Sequence, residues 1–134
     1  MTVIIDPSAL VAYLLEESGF EKTRDLLAEG VDGPALLLME SSNAVLEASK
    51  SKRIERSDAE KAIEVLVSLH ESNMEVHDEA DLLGSALRIA CDHSLTMYDS
   101  VYLALALKLG GSLASKDRKQ VEIAKKLGVE IAQT

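Results

Sequence analysis

Short apolar runs alternate along this chain with longer stretches of helical periodicity, and that alternation decides the class of fold open to it. Val3-Ile4-Ile5 is a β-branched run that stops at Asp6-Pro7 and reads as a buried strand. Leu10, Val11, Leu14 and Leu15 recur at helical spacing up to a break at Gly19, and residues 20–29 read as a second helix ending near Gly30. Pro34 opens Ala35-Leu36-Leu37-Leu38, the expected second strand, and residues 40–52 suit a helix. Ser57-Asp58-Ala59-Glu60 has the spacing of a capping box and starts another helix through about Leu69. Met74-Glu75-Val76 is a short strand, and helices are expected near 79–92 and 98–109, the second stopped by Gly110-Gly111. Ser112-Leu113-Ala114-Ser115 is a strand, 117–127 a helix ending at Gly128, and Val129-Glu130-Ile131 a last strand. Strands separated by helices need crossovers, so the fold class is α/β: three layers, α/β/α, around a central parallel sheet of about five strands. The stretch from Tyr98 to Leu107 is apolar nearly all round, which predicts a largely buried helix. A chain of 134 residues fits one domain, 1–134.

Charge and composition narrow the function. The 47% of hydrophobic residues is enough for a folded core, but aromatics at 3% leave that core to Leu, Val, Ile and Ala. Fourteen Lys and Arg against 23 Asp and Glu give a net charge of −9, a field that on average repels nucleic acid. The basic residues are unevenly placed, however. Lys50, Lys52, Arg53 and Arg56 form one group, and Lys116, Arg118, Lys119, Lys125 and Lys126 a second. With Cys91 as the only cysteine, no internal disulfide forms, which fits a reducing, cytoplasmic setting. No run reaches the roughly 18 apolar residues a membrane helix needs, and the opening residues do not read as a signal peptide.

In open α/β sheets, ligands bind beyond the carboxyl ends of the strands, so the residues at those ends matter most. Asp6 follows the first strand, Glu40 follows the expected second strand, and Asp117 follows the strand ending at Ser115. Asp99 opens the apolar helix that leads toward that strand. Each Asp alone is explained by helix capping, because a carboxylate accepts backbone N–H groups at a helix start. Glu40 fits capping poorly, and four acids on one edge repel one another unless a cation neutralises them. Carboxylates are the hard oxygen donors that magnesium and manganese prefer. Such a site suits phosphodiester hydrolysis, in which the ion lowers the pKa of water and offsets phosphate charge.

These motifs together resemble the PIN-domain family over essentially the whole chain. Val3-Ile4-Ile5-Asp6-Pro7-Ser8 is similar to its first motif, and Glu40-Ser41-Ser42-Asn43 to its second. Tyr98-Asp99-Ser100-Val101-Tyr102-Leu103-Ala104 is similar to the third, the most specific of the set, and Ser115-Lys116-Asp117 to the fourth. One departure is that no aromatic follows soon after Asp117. The resemblance implies an endoribonuclease dependent on Mg2+ or Mn2+, and its compact form is similar to VapC toxins of toxin–antitoxin pairs. It implies that Asp6, Glu40, Asp99 and Asp117 hold the metal, with Ser8, Asn43 and Ser115 orienting them from behind. It also implies RNA as substrate, a cognate antitoxin with a basic segment, and a homodimer.

Other groups are set aside. His70, His77 and His93 lack the spacing to put two on one helix face, so no zinc site is expected; each reads as a surface or strand-end residue. Cys91, with Leu87 and Ala90, is expected to be a small buried apolar residue. Val11, Leu14 and Leu15 are assigned to core packing in preference to a partner groove, and Glu16-Glu17 and Asp78-Glu79 are read as solvated charges. Glycine-rich phosphate loops and the Gly-x-Ser-x-Gly elbow are missing. The competing functions are an RNA-processing nuclease without an antitoxin and a non-catalytic acidic module that binds a basic peptide. A response-regulator receiver would want paired acids after the first strand, where Asp6 is followed by Pro7.

Overall fold

Four short parallel strands form the centre of the molecule in a computed structural model that describes residues 1–134. They are β1 (Val3–Ile5), β2 (Val31–Pro34), β3 (Met74–His77) and β4 (Ser112–Ala114). Their order is β3-β2-β1-β4, with Val3, Ile4 and Ile5 opposite Ser112, Leu113 and Ala114. The chain therefore steps outward from β1 to β2 to β3, then returns to the other side of β1 for β4. That reversal opens a crevice beyond the carboxyl ends of β1 and β4, the position where open α/β sheets bind ligands.

The helices are α1 (Pro7–Leu14), α2 (Phe20–Glu29), α3 (Leu36–Lys50), α4 (Arg56–Ser72), α5 (Leu83–His93), α6 (Met97–Leu109) and α7 (Arg118–Lys126), with a 3-10 turn at Ala80–Leu82 before α5. Helix α6 lies across β1, β2 and β4 with α5 packed on it, while α1, α2, α3 and α4 pack together in the other helical layer. As its composition predicts, α6 is buried from Ser100 to Ala106 without a break. The core joins these residues to Ile4, Ile5, Leu10, Leu27, Leu37 and Leu113. No helix is long and apolar enough to cross a membrane.

Several expectations are corrected. The second strand is Val31–Pro34, and Leu36-Leu37-Leu38-Met39 begins α3. Leu and Met are good helix formers, and the buried set Leu37, Ser41, Val45 and Ala48 traces one helical face. Gly33 permits this, because a Cβ there would come 2.7 Å from Leu37 Cδ2. Glu40 therefore lies in the second turn of a helix and not at a strand end. The expected fifth strand is reduced to a single parallel bridge between Leu113 and Ile131, because β4 offers only three residues to pair with. Helix α4 starts before the expected capping box. Glu55 and Asp58 supply the reciprocal cap, with the Glu55 N–H donating to Asp58 Oδ2 at 3.0 Å. Cys91 is exposed, because α5 turns Ala86 and Ile89 toward the core. Glu79 is not a free solvated charge: its carboxylate accepts the Leu36 N–H at 2.6 Å and caps the first turn of α3.

Candidate active site

Asp6 leaves β1 as the N-cap of α1. Its Oδ1 accepts the Ala9 N–H at 3.2 Å and the Ser8 hydroxyl at 2.6 Å. The side chain is deeply buried, at 4% exposure. Ser8 also ties this acid to the chain beyond β4: its Oγ accepts the Lys116 N–H at 2.8 Å and lies 3.3 Å from Ser115 Oγ. Ser115 Oγ in turn accepts the Asp117 N–H at 3.1 Å. The two serines thus link the ends of β1 and β4 through hydroxyls.

Asp117 is the N-cap of α7, its Oδ1 accepting the Gln120 N–H at 3.1 Å. Asp99 is not a cap. Thr96 holds that position, its Oγ1 accepting the Asp99 N–H at 3.1 Å, and Asp99 stands in the first turn of α6. Glu40 arrives from α3, where its Oε1 accepts the Tyr102 hydroxyl at 2.8 Å from α6. Asn43 is exposed on α3 and forms no side-chain hydrogen bond to any of the acids.

Hydrogen bonds link the four acids into one neighbourhood, and their electrostatics follow from it. Burial raises the pKa of Asp6 first; the Ser115 and Ser8 hydroxyls and the Ala9 N–H pull it back, and the charge of Asp117 adds to the rise. Burial likewise raises Glu40, opposed by the Tyr102 hydroxyl and reinforced by Asp99 and Asp6. Asp99 is raised by burial and then by Asp117, with Thr96 and Lys119 acting the other way. The repulsions close a ring: Glu40 with Asp6 and Asp99, and Asp117 with the same two. None of the four takes part in an ion pair. Tyr102 is pushed far above the ordinary tyrosine range by burial and by Glu40, so its hydroxyl stays a donor.

The donor chemistry fits a hard divalent cation: oxygen ligands only, mutually repelling, with no cation paired against them. As placed, no group of three or more of these acids stands in ligating geometry. The two largest cavities, about 460 and 470 Å3, lie elsewhere, at the amino ends of the strands and between α3 and α4. Of the four acids, Asp117 is exposed, Glu40 and Asp99 are half-buried and Asp6 is buried.

Sequence reasoning located the four acids, Ser8 and Ser115. It missed Tyr102, Thr96 and Gln120, whose partners are set by packing between helices. For Tyr102 the available signal was a hydroxyl in an otherwise apolar helix, since a buried tyrosine hydroxyl demands a partner.

An α/β/α fold with acids gathered at the switch between β1 and β4 defines a class, and the comparisons agree with it. The chain belongs to the PIN domain family, whose model matches residues 3–126. It is similar to Ribonuclease VapC3 of Pyrobaculum aerophilum, 28% identical over 124 residues that cover 91% of this chain and 94% of that protein. Among solved structures, the fold is shared with PAE2754 from Pyrobaculum aerophilum (TM-score 0.75, 23% identity, covering 98% of this chain and 84% of that one). It is shared also with VapBC2 from Rickettsia felis, solved bound to a DNA fragment of its promoter (TM-score 0.66, 11% identity, 98% and 97% covered).

Proposed function

We propose that this protein is a divalent-metal-dependent endoribonuclease, acting in the cytoplasm as the toxin of a toxin–antitoxin pair. The observation that carries the reading is the hydrogen-bond network that ties Asp6 to Asp117 through Ser8 and Ser115, Asp117 to Asp99 through Gln120, and Glu40 to α6 through Tyr102, with no ion pair at any of the four acids. Similarity to Ribonuclease VapC3 supports RNA as the substrate.

These four carboxylates would hold magnesium or manganese, which supplies water of lowered pKa and positive charge against the phosphate oxygens. The chain's own residues prepare the donors. Ser8 and the Ala9 N–H hold Asp6 by Oδ1, and Tyr102 holds Glu40 by Oε1. The Gln120 N–H holds Asp117 by Oδ1. One oxygen of Asp6, Glu40 and Asp117 is thereby fixed to the scaffold. No side-chain nucleophile is needed. Exposed Lys116, Arg118 and Lys119 flank Asp117 and offer cations to the RNA backbone locally, against the overall charge of −9.

The shared fold with VapBC2 supports an antitoxin partner. The acid ring favours a basic segment, because an arginine would meet a carboxylate through two parallel hydrogen bonds. The active unit is proposed to be a homodimer. The direct test is cleavage of RNA by wild type and Asp99→Asn, with and without Mg2+ or Mn2+. Metal-dependent cleavage lost in the variant is expected. Undiminished cleavage in excess EDTA would refute the metal mechanism, and failure to recover a small basic partner from the host would remove the toxin assignment alone.

A further inference from the structure

We infer that Gln120 is the positioning residue that sets Asp99 against Asp117. The inference rests on the metal-site reading above and concerns how that site is held together. Asp99 and Asp117 come from different helices; Thr96 holds Asp99 within α6, but that bond does not set α6 against α7. Gln120 bridges the two. Its backbone N–H donates to Asp117 Oδ1 at 3.1 Å, and its side-chain amide donates to the backbone carbonyl of Asp99 at 2.8 Å. One residue in the first turn of α7 thus grips the carboxylate of one acid and the backbone of the other.

Packing alone does not account for this residue. Gln120 is 98% buried, at 2% exposure, and its Oε1 has no hydrogen-bond partner. A buried amide with one end unsatisfied is less stable than an apolar side chain of similar volume. Methionine would fill the same space without that penalty. What methionine cannot do is donate to the first turn of α6. A helix carbonyl retains a second lone pair after its intrahelical bond, so Gln120 attaches to α6 without disturbing its ladder. The bond falls on Asp99 itself, the residue whose carboxylate faces Asp117. Loss of it frees the starts of α6 and α7 to move apart, and the two carboxylates with them.

The test uses the full chain and Mn2+ as the probe, titrated into metal-free protein and followed by the electron paramagnetic resonance of free Mn2+. Wild type, Gln120→Met, Gln120→His and Asp99→Asn are compared, each also melted in EDTA. Gln120→Met is expected to melt at or above wild type without metal and to bind Mn2+ roughly ten- to a hundredfold more weakly, the usual scale for a residue that orients a ligand from behind. Gln120→His, whose ring N–H can donate from the same position, should recover most of that affinity. A residue with a merely structural role would lower the melting temperature and leave Mn2+ affinity alone. Unchanged affinity in Gln120→Met, with affinity lost in Asp99→Asn, would overturn the inference and leave the metal site standing. Unchanged affinity in Asp99→Asn would instead remove the site reading. Should Gln120→Met fail to fold, Gln120→His decides: near-wild-type affinity supports the bridge, and weak binding by a folded Gln120→His overturns it.

Discussion

Removing one oxygen atom from Tyr102 tests how Glu40 is held. Tyr102 is fully buried, at 0% exposure, and its hydroxyl donates at 2.8 Å to a carboxylate 62 residues earlier in the chain. A hydrogen bond to a charged group contributes about 1.5–3 kcal/mol, against about 0.5–1.5 kcal/mol for a neutral pair. Glu40 is only half-buried, so water can replace part of the lost donor, which places Tyr102→Phe at the lower end, about 1.5–2 kcal/mol at neutral pH. For a chain of this size that lowers the melting temperature by roughly 5–10 °C. The loss also depends on pH. Above its raised pKa Glu40 is ionised and the bond is charge-assisted; below it the pair is neutral and the loss should fall by about half. Urea unfolding of wild type, Tyr102→Phe, Glu40→Gln and the double variant, in EDTA, measures the coupling directly. Coupling at neutral pH within the ~0.3–0.5 kcal/mol expected of independent sites would refute the reasoning, because Tyr102 would then not be holding Glu40.

Three further outcomes follow from the site. Asp99→Asn should melt higher than wild type in EDTA and gain less from added Mg2+ or Mn2+, since neutralising one member of the ring relieves repulsion and removes a ligand; equal melts and equal metal-induced shifts would return Asp99 to an ordinary helix residue. The same pair should separate with pH: Asp99 has a folded pKa raised above its ordinary 3.8, so its stability contribution is full below that value and is lost as pH rises through the raised one. The excess stability of Asp99→Asn in EDTA should accordingly vanish in acid and open toward neutrality, which melts across a pH series will register. Ser8→Ala removes the 2.6 Å donor to Asp6 and the acceptor for the Lys116 N–H, and should lower unfolding free energy by about 1–3 kcal/mol; a change within about 0.5 kcal/mol, the range of an uninvolved surface substitution, would mean the hydroxyl link between β1 and β4 carries no weight.

Local signals recovered most of the fold and the identity of the acids, but they failed where tertiary packing decides. Val3–Ile5 and Ser112–Ala114 were legible because buried parallel strands read as short apolar runs. The run at 35–38 looked the same and is helical, because a short apolar stretch does not tell a buried strand from a buried helix turn. Glu40 was therefore expected at a strand end it does not occupy; it lies in α3 and accepts the Tyr102 hydroxyl of α6. The bonds from Tyr102 to Glu40 and from Gln120 to Asp99 span 62 and 21 residues, separations at which periodicity carries no information. The cap of α3 by Glu79, 43 residues away, was hidden for the same reason.

Capping and metal binding looked like rival explanations of these acids, and the geometry removes the rivalry. Asp6 and Asp117 do cap α1 and α7, each using one oxygen, and still repel each other. A cap bond fixes a carboxylate at the positive end of a helix dipole, which favours its ionised form and holds its second oxygen in a defined direction. A capping carboxylate so held is compatible with the proposed role of cation ligand, and the two readings need not exclude each other. Asp99 and Glu40 cap no helix themselves: Asp99 is held within α6 by Thr96 and tied to α7 through Gln120, and Glu40 is held by Tyr102 of α6. Asp6 and Asp117 are thus fixed by caps on their own helices, while Asp99 and Glu40 are tied across helices.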